Sequence, residues 1–437
     1  MAKARSSSVP PDRACTAARE SWLSVVASLP ARIGRPPTRS PYIPQIDGLR
    51  CVAIVLVLMW HISLRAARYV DLVNGSGGNV ATYYWWFPQG EIGVALFFVI
   101  SGYVIAQPFL SRPPAQWRVG RFYLRRLWRI YPPYVIAITA CLIIVMASGF
   151  DPAYPGPAPL PSWLASMLYL HSLLFDTSSR LNPPIWSLEV EIAFYAIVPV
   201  LMALYLQVSP RRRRLAAGWF CIAGFIAAAS VFDLHFRSDP RFRFGLLAHL
   251  YLFMAGIVLA DFACGHDMSA QRRSGFYDAG LTCGLGGLIC VGLYLTRVNA
   301  MPGGGWPEIA TDLAMLASIT AIYFGAMLGR IGSQLLSTSW MTLIGTMCYS
   351  IYLVHVVVIE AFAHILWHIR LTEPAEIWGL YIVVLGPVSL CVSGLFYIAI
   401  ERPFMTSDAH LPGASFFKHR SKSFLLRCRA LLQHHVS

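Results

Sequence analysis

Hydrophobic positions in this chain fall in long blocks, with polar residues gathered between them. Ten blocks stand out, at approximately 46–65, 90–110, 131–149, 185–207, 215–232, 244–261, 276–295, 309–329, 340–363 and 377–399. As helices rising 1.5 Å per residue, each is long enough to cross a hydrocarbon core about 30 Å thick. The apolar stretch from Trp163 to Phe175 is too short for that and fits an outer-face or re-entrant helix. The pattern predicts an all-α fold, a polytopic transmembrane helical bundle of about ten spans.

The polar intervals orient it. With the N-terminus inside, the inner loops hold Arg112, Arg118, Arg121, Arg125, Arg126 and Arg129, then Arg211 to Arg214, Arg272 and Arg273, and Arg330. The C-terminal end adds Arg402 and the run Lys418-His419-Arg420-Ser421-Lys422. By the positive-inside rule, both termini are expected in the cytoplasm. The interval 233–243 is discordant, because its three arginines would lie outside beside Asp233 and Asp239. Residues 1–42, rich in Ser, Pro, Ala and Arg, read as a flexible cytoplasmic tail, 43–405 as the membrane domain, and 406–437 as a basic cytoplasmic tail.

Composition sharpens this picture. Hydrophobic residues make up 56% and charged residues only 13%, about half the charged share of a soluble domain. Mean hydropathy is +0.56. The net charge of +14 does not indicate nucleic acid, since the basic residues sit in short gaps between apolar runs. Ten cysteines include no CxxC pair and mostly lie in apolar segments, so they are expected to be buried hydrophobes. HExxH is absent too, and no metal site is expected.

The chemistry therefore has to come from polar groups within or at the ends of the spans, where an ionisable residue is costly. His61 lies eleven residues after Arg50, roughly 16 Å further along a helix and on nearly the same face. Arg121, Arg125, Arg126 and Arg129 form a cationic ridge entering the third span, suited either to phosphate oxygens or to lipid headgroups and topology. Glu189 and Glu191 open the fourth span two residues apart, so they point away from each other and cannot act as a carboxylate pair. One is expected to face inward and the other water or a headgroup. Tyr352 and His355 share a face of the ninth span, and Glu401-Arg402 ends the tenth, where an ion pair with the arginine ridge is expected. Packing roles for each of these remain open on spacing alone. Tyr83-Tyr-Trp-Trp-Phe87 reads as an interfacial aromatic belt or a sugar-stacking surface.

Taken in order, these motifs resemble the acyltransferase-3 family of integral membrane acyltransferases. Asp47-Gly-Leu-Arg50 through His61 is similar to its Arg–ten residues–His signature, and Arg126-Leu-Trp-Arg129 to its RxxR motif. Gly93 to Tyr103, Trp186 to Tyr195, Tyr349 to His355 and Glu401-Arg-Pro-Phe404 follow the family order across about residues 42–405. In the Trp186 block the matching glutamate is Glu191. Ala95 departs from the acidic residue many relatives carry, and the SGNH-type hydrolase domain of some relatives is not expected here.

The resemblance implies an O-acyltransferase of the bacterial plasma membrane, with no bound cofactor. Cytoplasmic acyl-CoA would be the co-substrate, acetyl-CoA by default, and a sugar or polysaccharide hydroxyl the acceptor. His61 and Glu191 would be catalytic, with His61 the general base and Glu191 orienting it or binding the sugar. Arg50, Arg126 and Arg129 would hold the donor, and Tyr352 and His355 would line the acceptor path. Membrane lipids and polysaccharide-assembly proteins are the other expected partners. A multi-span transporter and a scaffold in such an assembly are the alternatives.

Overall fold

The computed structural model describes residues 27–36, 42–74, 86–148, 156–236, 240–266, 273–298, 306–366 and 373–405, with a few single positions beside them. Most of the proposed N-terminal tail, residues 406–437 and Tyr83 to Trp85 of the aromatic stretch lie outside the described residues. Among the described residues the regular elements are all helices, joined by short connections, with one isolated bridge between Ser274 and Gly329. In chain order the main helices are α1 (Pro44–Asn74), α2 (Glu91–Leu110), α3 (Val119–Ser148), α4 (Pro159–Met167), α5 (Trp186–Gln207) and α6 (Arg211–Phe236). They continue as α7 (Leu246–Gly265), α8 (Gly275–Val298), α9 (Trp306–Leu328), α10 (Ser339–Thr346), α11 (Cys348–Leu366) and α12 (Pro374–Phe396).

Nine helices among the described residues are long and apolar enough to cross a membrane. α6, over the predicted block 215–232, is a further helix of 26 residues. Side chains left exposed on the outside of the bundle include Ile143, Met146, Val200, Leu204, Val383 and Leu395, while Asp47, Ser350, His355 and Glu401 are buried. Apolar exteriors with polar residues turned inward are what a lipid solvent selects.

Two boundaries differ from the sequence expectation for local reasons. Predicted block 340–363 is two helices, α10 and α11, separated at Met347. α10 lies against the start of α1, where a β-carbon on Gly345 would stand 1.7 Å from the Asp47 carbonyl oxygen. α3 begins twelve residues before its predicted start, so the arginine ridge and the span form one helix containing Pro132 and Pro133. The short apolar stretch is two helices, α4 and His171–Phe175, joined through Tyr169 at a positive φ of 55°.

The core is built around the crossing of α2 and α7. A β-carbon on Gly102 would lie 2.1 Å from the Phe253 carbonyl oxygen, and one on Gly256 would lie 2.1 Å from that of Val99. Only glycine at both positions lets the two backbones approach this closely. Phe253 then stacks between Phe98 and Phe194, with ring centroids 4.7 and 4.1 Å away.

Charge explains the discordant 233–243 interval. Arg243 pairs with Glu91 at 3.0 Å and Arg241 pairs with Asp176, so two of its arginines are compensated by carboxylates from neighbouring connections. The run at Arg211 to Arg214 is the first turn of α6 rather than a loop, and Arg211 and Arg214 hold buried Asp261 at 3.2 and 2.8 Å.

Candidate active site

Three groups of polar side chains, from α1, α2, α3, α5, α10 and α11 and from Glu401 just beyond α12, lie inside the bundle. The first is at the start of α1, where Asp47 is 1% exposed. Its carboxylate accepts from Arg50 Nη1 at 2.7 Å, from Arg35 Nη2 at 3.0 Å and from Thr346 Oγ1 at 3.3 Å. Burial and the nearby Arg50 bring Arg35 down to about 10, so it stays charged at neutral pH. Arg35, Tyr42, Ser337, Thr342 and Thr346 line a cavity of about 510 Å³ beside this cluster. Replacing Asp47 with alanine strands two part-buried guanidinium groups. The expected cost is about 3–5 kcal/mol, read as a large fall in folded, detergent-extracted protein, with Asp47→Asn intermediate. Wild-type thermal stability for Asp47→Ala would contradict this.

The second group surrounds α3. Arg121 and Arg125 are exposed, whereas Arg126 and Arg129 are half-buried and face inward. Arg126 lies over the rings of Tyr195 and Phe122, at 5.4 and 5.8 Å. Tyr195 donates to Glu191 Oε1 at 2.5 Å, and Ser101 donates to the same oxygen at 2.7 Å. Among the described residues neither Arg126 nor Arg129 has a hydrogen bond or a carboxylate partner within bonding distance, unlike Arg50. Glu401 is fully buried and accepts from Ser350 Oγ at 2.5 Å. Its other oxygen is unpartnered, and Arg129 acts on it electrostatically. Arg402 instead donates to the Arg32 carbonyl at 3.1 Å. The ion pair expected of Glu401-Arg402 with the ridge is not formed within bonding distance among the described residues: Ser350 holds one Glu401 oxygen and Arg129 acts on the carboxylate only electrostatically.

Of the two glutamates of α5, Glu191 faces inward, whereas Glu189, expected on the side of water or a headgroup, is buried instead. Glu189 is 7% exposed and accepts the backbone N–H groups of His171 and Ser172 at 3.1 and 3.0 Å, capping the short helix His171–Phe175. The His171 ring is buried between Ser162 Oγ and the Thr177 carbonyl, each 2.9 Å away. Burial pushes it below the ordinary histidine range, the Thr177 bond opposing the shift. Glu191 faces the interior, close enough to Arg50, Arg126 and Tyr352 to act on each electrostatically. Its hydrogen bonds go to Ser101 and Tyr195, not to His61.

The third group is a histidine pair. His61 sits half-buried in the middle of α1, and the fully buried His355 comes to it from α11. Their rings meet edge to face, with centroids 4.8 Å apart, and His355 Nε2 is 3.3 Å from His61 Nδ1. The Tyr352 ring lies 5.9 Å from that of His355. Its hydroxyl is bound to Ser187 Oγ at 2.6 Å and to the Pro184 carbonyl. Asn182 Nδ2 adds a bond to the Leu353 carbonyl at 2.9 Å, so α11 is tied to the start of α5 beside the pair.

Arg50, His61, Arg126, Arg129, Glu191, Tyr352 and His355 thus each lie in one of these groups, whereas Arg121 and Arg125 are exposed and Glu189 caps another helix. Residues that sequence reasoning left without a role are Asp47, Arg35, Ser101, Tyr195 and Ser350. Asp47 was within reach, since an acidic residue three positions before an arginine at a helix start marks an i,i+3 pair.

Residues 43–398 match the Acyl_transf_3 family, described as an acyltransferase domain. The chain belongs to the acyltransferase-3 family. It is 24% identical over 384 residues to acyltransferase MdmB of Streptomyces mycarofaciens, covering 84% of this chain and 93% of that protein. Peptidoglycan O-acetyltransferase OatA of Listeria monocytogenes is 27% identical over 186 residues, covering 38% of this chain and 25% of OatA. O-acetyltransferase OatA of Staphylococcus aureus is 24% identical over 247 residues, covering 53% and 37% respectively. The match thus spans well under half of either OatA protein. No solved structure matches. The acyltransferase-3 chain is a membrane-bound acyltransferase, a multi-pass protein of the bacterial inner membrane, and its family implies an acyl-CoA-type co-substrate.

Proposed function

We propose that this acyltransferase moves an acyl group, acetyl by default, from cytoplasmic acyl-CoA to a hydroxyl of a sugar in an envelope or exported polysaccharide or glycolipid. The observation that carries the reading is the shared interior of the histidine pair and the inward-facing arginines, with His61 and Arg50 on one helix. The OatA relatives, named as O-acetyltransferases and in Listeria as acting on peptidoglycan, support the acetyl group and the glycan acceptor. The positive-inside pattern supports placing the arginine end, and with it both termini, in the cytoplasm.

In this reading Arg126 and Arg129 bind the donor's phosphates, for which guanidinium forks are suited. Arg50, already held by Asp47, offers its remaining donors alongside them. His61 Nε2 takes the proton of the acceptor hydroxyl as its oxygen attacks the thioester carbonyl. The tetrahedral intermediate then collapses, the carbon–sulfur bond breaks, and the CoA thiolate takes the proton back from His61. Glu191, anchored by Ser101 and Tyr195, is a hydrogen-bond acceptor for the sugar, and Tyr352 with His355 forms the wall beside it.

The test is transfer of radiolabelled acetyl from acetyl-CoA in membranes supplied with an envelope-glycan extract. Label in the glycan fraction that depends on the wild-type chain supports the proposal, and the absence of label in every fraction opposes it. Arg126→Gln and Arg129→Gln are each expected to raise the acetyl-CoA KM by about 10- to 100-fold, the worth of a charge-assisted hydrogen bond, with little change in kcat. An unchanged KM in both variants would remove the phosphate role.

A further inference from the structure

The hydrogen bonds of the two histidines admit only one arrangement of protons. His61 Nδ1 lies 2.8 Å from the Val57 carbonyl oxygen, which can only accept, so Nδ1 carries a hydrogen. His355 Nδ1 lies 2.9 Å from the carbonyl oxygens of both Ile351 and Tyr352, so it carries one as well. The neutral His355 ring then has its lone pair on Nε2, and this atom is the one facing His61 Nδ1 at 3.3 Å. The His61 hydrogen is shared between the Val57 carbonyl and that lone pair. Of the four ring nitrogens, three are committed, and only His61 Nε2 has no hydrogen-bond partner among the described residues. A proton added to His355 Nε2 would meet the hydrogen on His61 Nδ1. An added proton therefore has one place to go.

We infer that His355 is a positioning residue for His61: a neutral hydrogen-bond acceptor that orients the ring, keeps its proton on Nδ1 and leaves Nε2 as the pair's single open lone pair. Among the described residues no carboxylate bonds to either ring, so the role an aspartate commonly fills beside a catalytic histidine falls to an imidazole. The helix supports this assignment. The His355 ring is fixed by two carbonyls of its own helix, and that helix is pinned by Tyr352 and by the Leu353 carbonyl to the start of α5. When His61 Nε2 takes the hydroxyl proton, the resulting imidazolium gives a charge-assisted bond through Nδ1 to His355 Nε2. When the proton passes to the thiolate, the pair returns to its starting arrangement. The catalytic part of the inference rests on His61 being the base; the proton arrangement does not.

Two experiments test it separately. The first is magic-angle-spinning NMR of full-length protein with ¹⁵N-labelled histidine rings in bilayers, assigned with His61→Gln and His355→Gln. Both wild-type rings are expected to be neutral, with Nδ1 protonated and Nε2 bare. A His61 proton on Nε2, or a doubly protonated His355, overturns the inference whether or not an acceptor is known. The second compares His355→Leu with His355→Gln at equal folded protein in the acetyl-transfer assay. Leucine is expected to lower kcat about 10- to 100-fold, as losses of partners that orient a functional histidine do, with the acetyl-CoA KM within about threefold of wild type. Glutamine, which keeps an acceptor there, is expected to recover most of that loss. Equal losses in both variants, or a loss confined to KM, would mark His355 as mere packing. If the leucine variant does not fold, the glutamine variant and the spectra decide. A wild-type protein that transfers no label, yet shows the expected spectra, would count against the proposed reaction and leave the proton arrangement standing.

Discussion

Membranes bearing His61→Ala, at wild-type protein levels, are expected to transfer acetyl groups about 10²- to 10⁴-fold more slowly than wild type, the usual worth of a general base. The loss should fall on kcat, because the arginines proposed to hold the donor are untouched and His61 contacts the donor only where bonds change. Removing the ring also takes a partner from His355, whose Nε2 would then face an empty space. His61→Gln fills that volume and separates chemistry from packing. It should restore thermal stability without restoring the rate. Transfer by His61→Ala at the wild-type rate would dismiss His61 as the base and the proposed mechanism with it.

The other large effect is expected far from the chemistry. Gly256→Val should leave almost no folded protein in the membrane, a loss of more than about 4 kcal/mol. The reason is geometric: the new β-carbon would press 2.1 Å from the Val99 carbonyl oxygen and 2.6 Å from the Tyr103 nitrogen. Those are backbone atoms, so no rotamer change relieves the clash, and α2 and α7 must separate. Separation unstacks Phe253 from Phe98 and Phe194. Fluorescence-detected size exclusion of solubilised membranes measures the outcome, and Gly256→Ala should be damaged less but in the same direction. A monodisperse Gly256→Val peak at wild-type height and melting temperature would contradict the close crossing.

Much of the bundle was legible because lipid makes hydrophobicity a nearly direct readout of secondary structure. The blocks at 185–207 and 276–295 fall within a few residues of α5 and α8. Boundaries failed where local packing overrode hydropathy. The break at Met347 follows from Gly345 lying on the backbone of α1, a contact with a residue 298 positions earlier that no window on the sequence can register. The early start of α3 was hidden because arginines lower hydropathy while remaining good helix formers. In the site, spacing placed Arg50 and His61 on one face because both belong to one helix. It could not join His61 to His355, which are 294 residues apart, nor show that Glu189 caps another helix. Position along a helix is written locally, whereas the partner across an interface depends on tertiary packing.

α1 has a further consequence. It runs unbroken from Pro44 to Asn74, so eleven residues of hydrogen-bonded backbone fix the depth difference between Arg50 and His61 at roughly 16 Å. In the proposed reaction the helix is a gauge that selects donors by the distance from phosphate to carbonyl. A pantetheine-linked thioester has an arm long enough to be held at one level and react at the other. An acyl phosphate, whose phosphorus is two bonds from its carbonyl carbon, reaches only one of the two. Chemical activation alone is then insufficient, and the length of the acyl group beyond the carbonyl is left ungauged by α1.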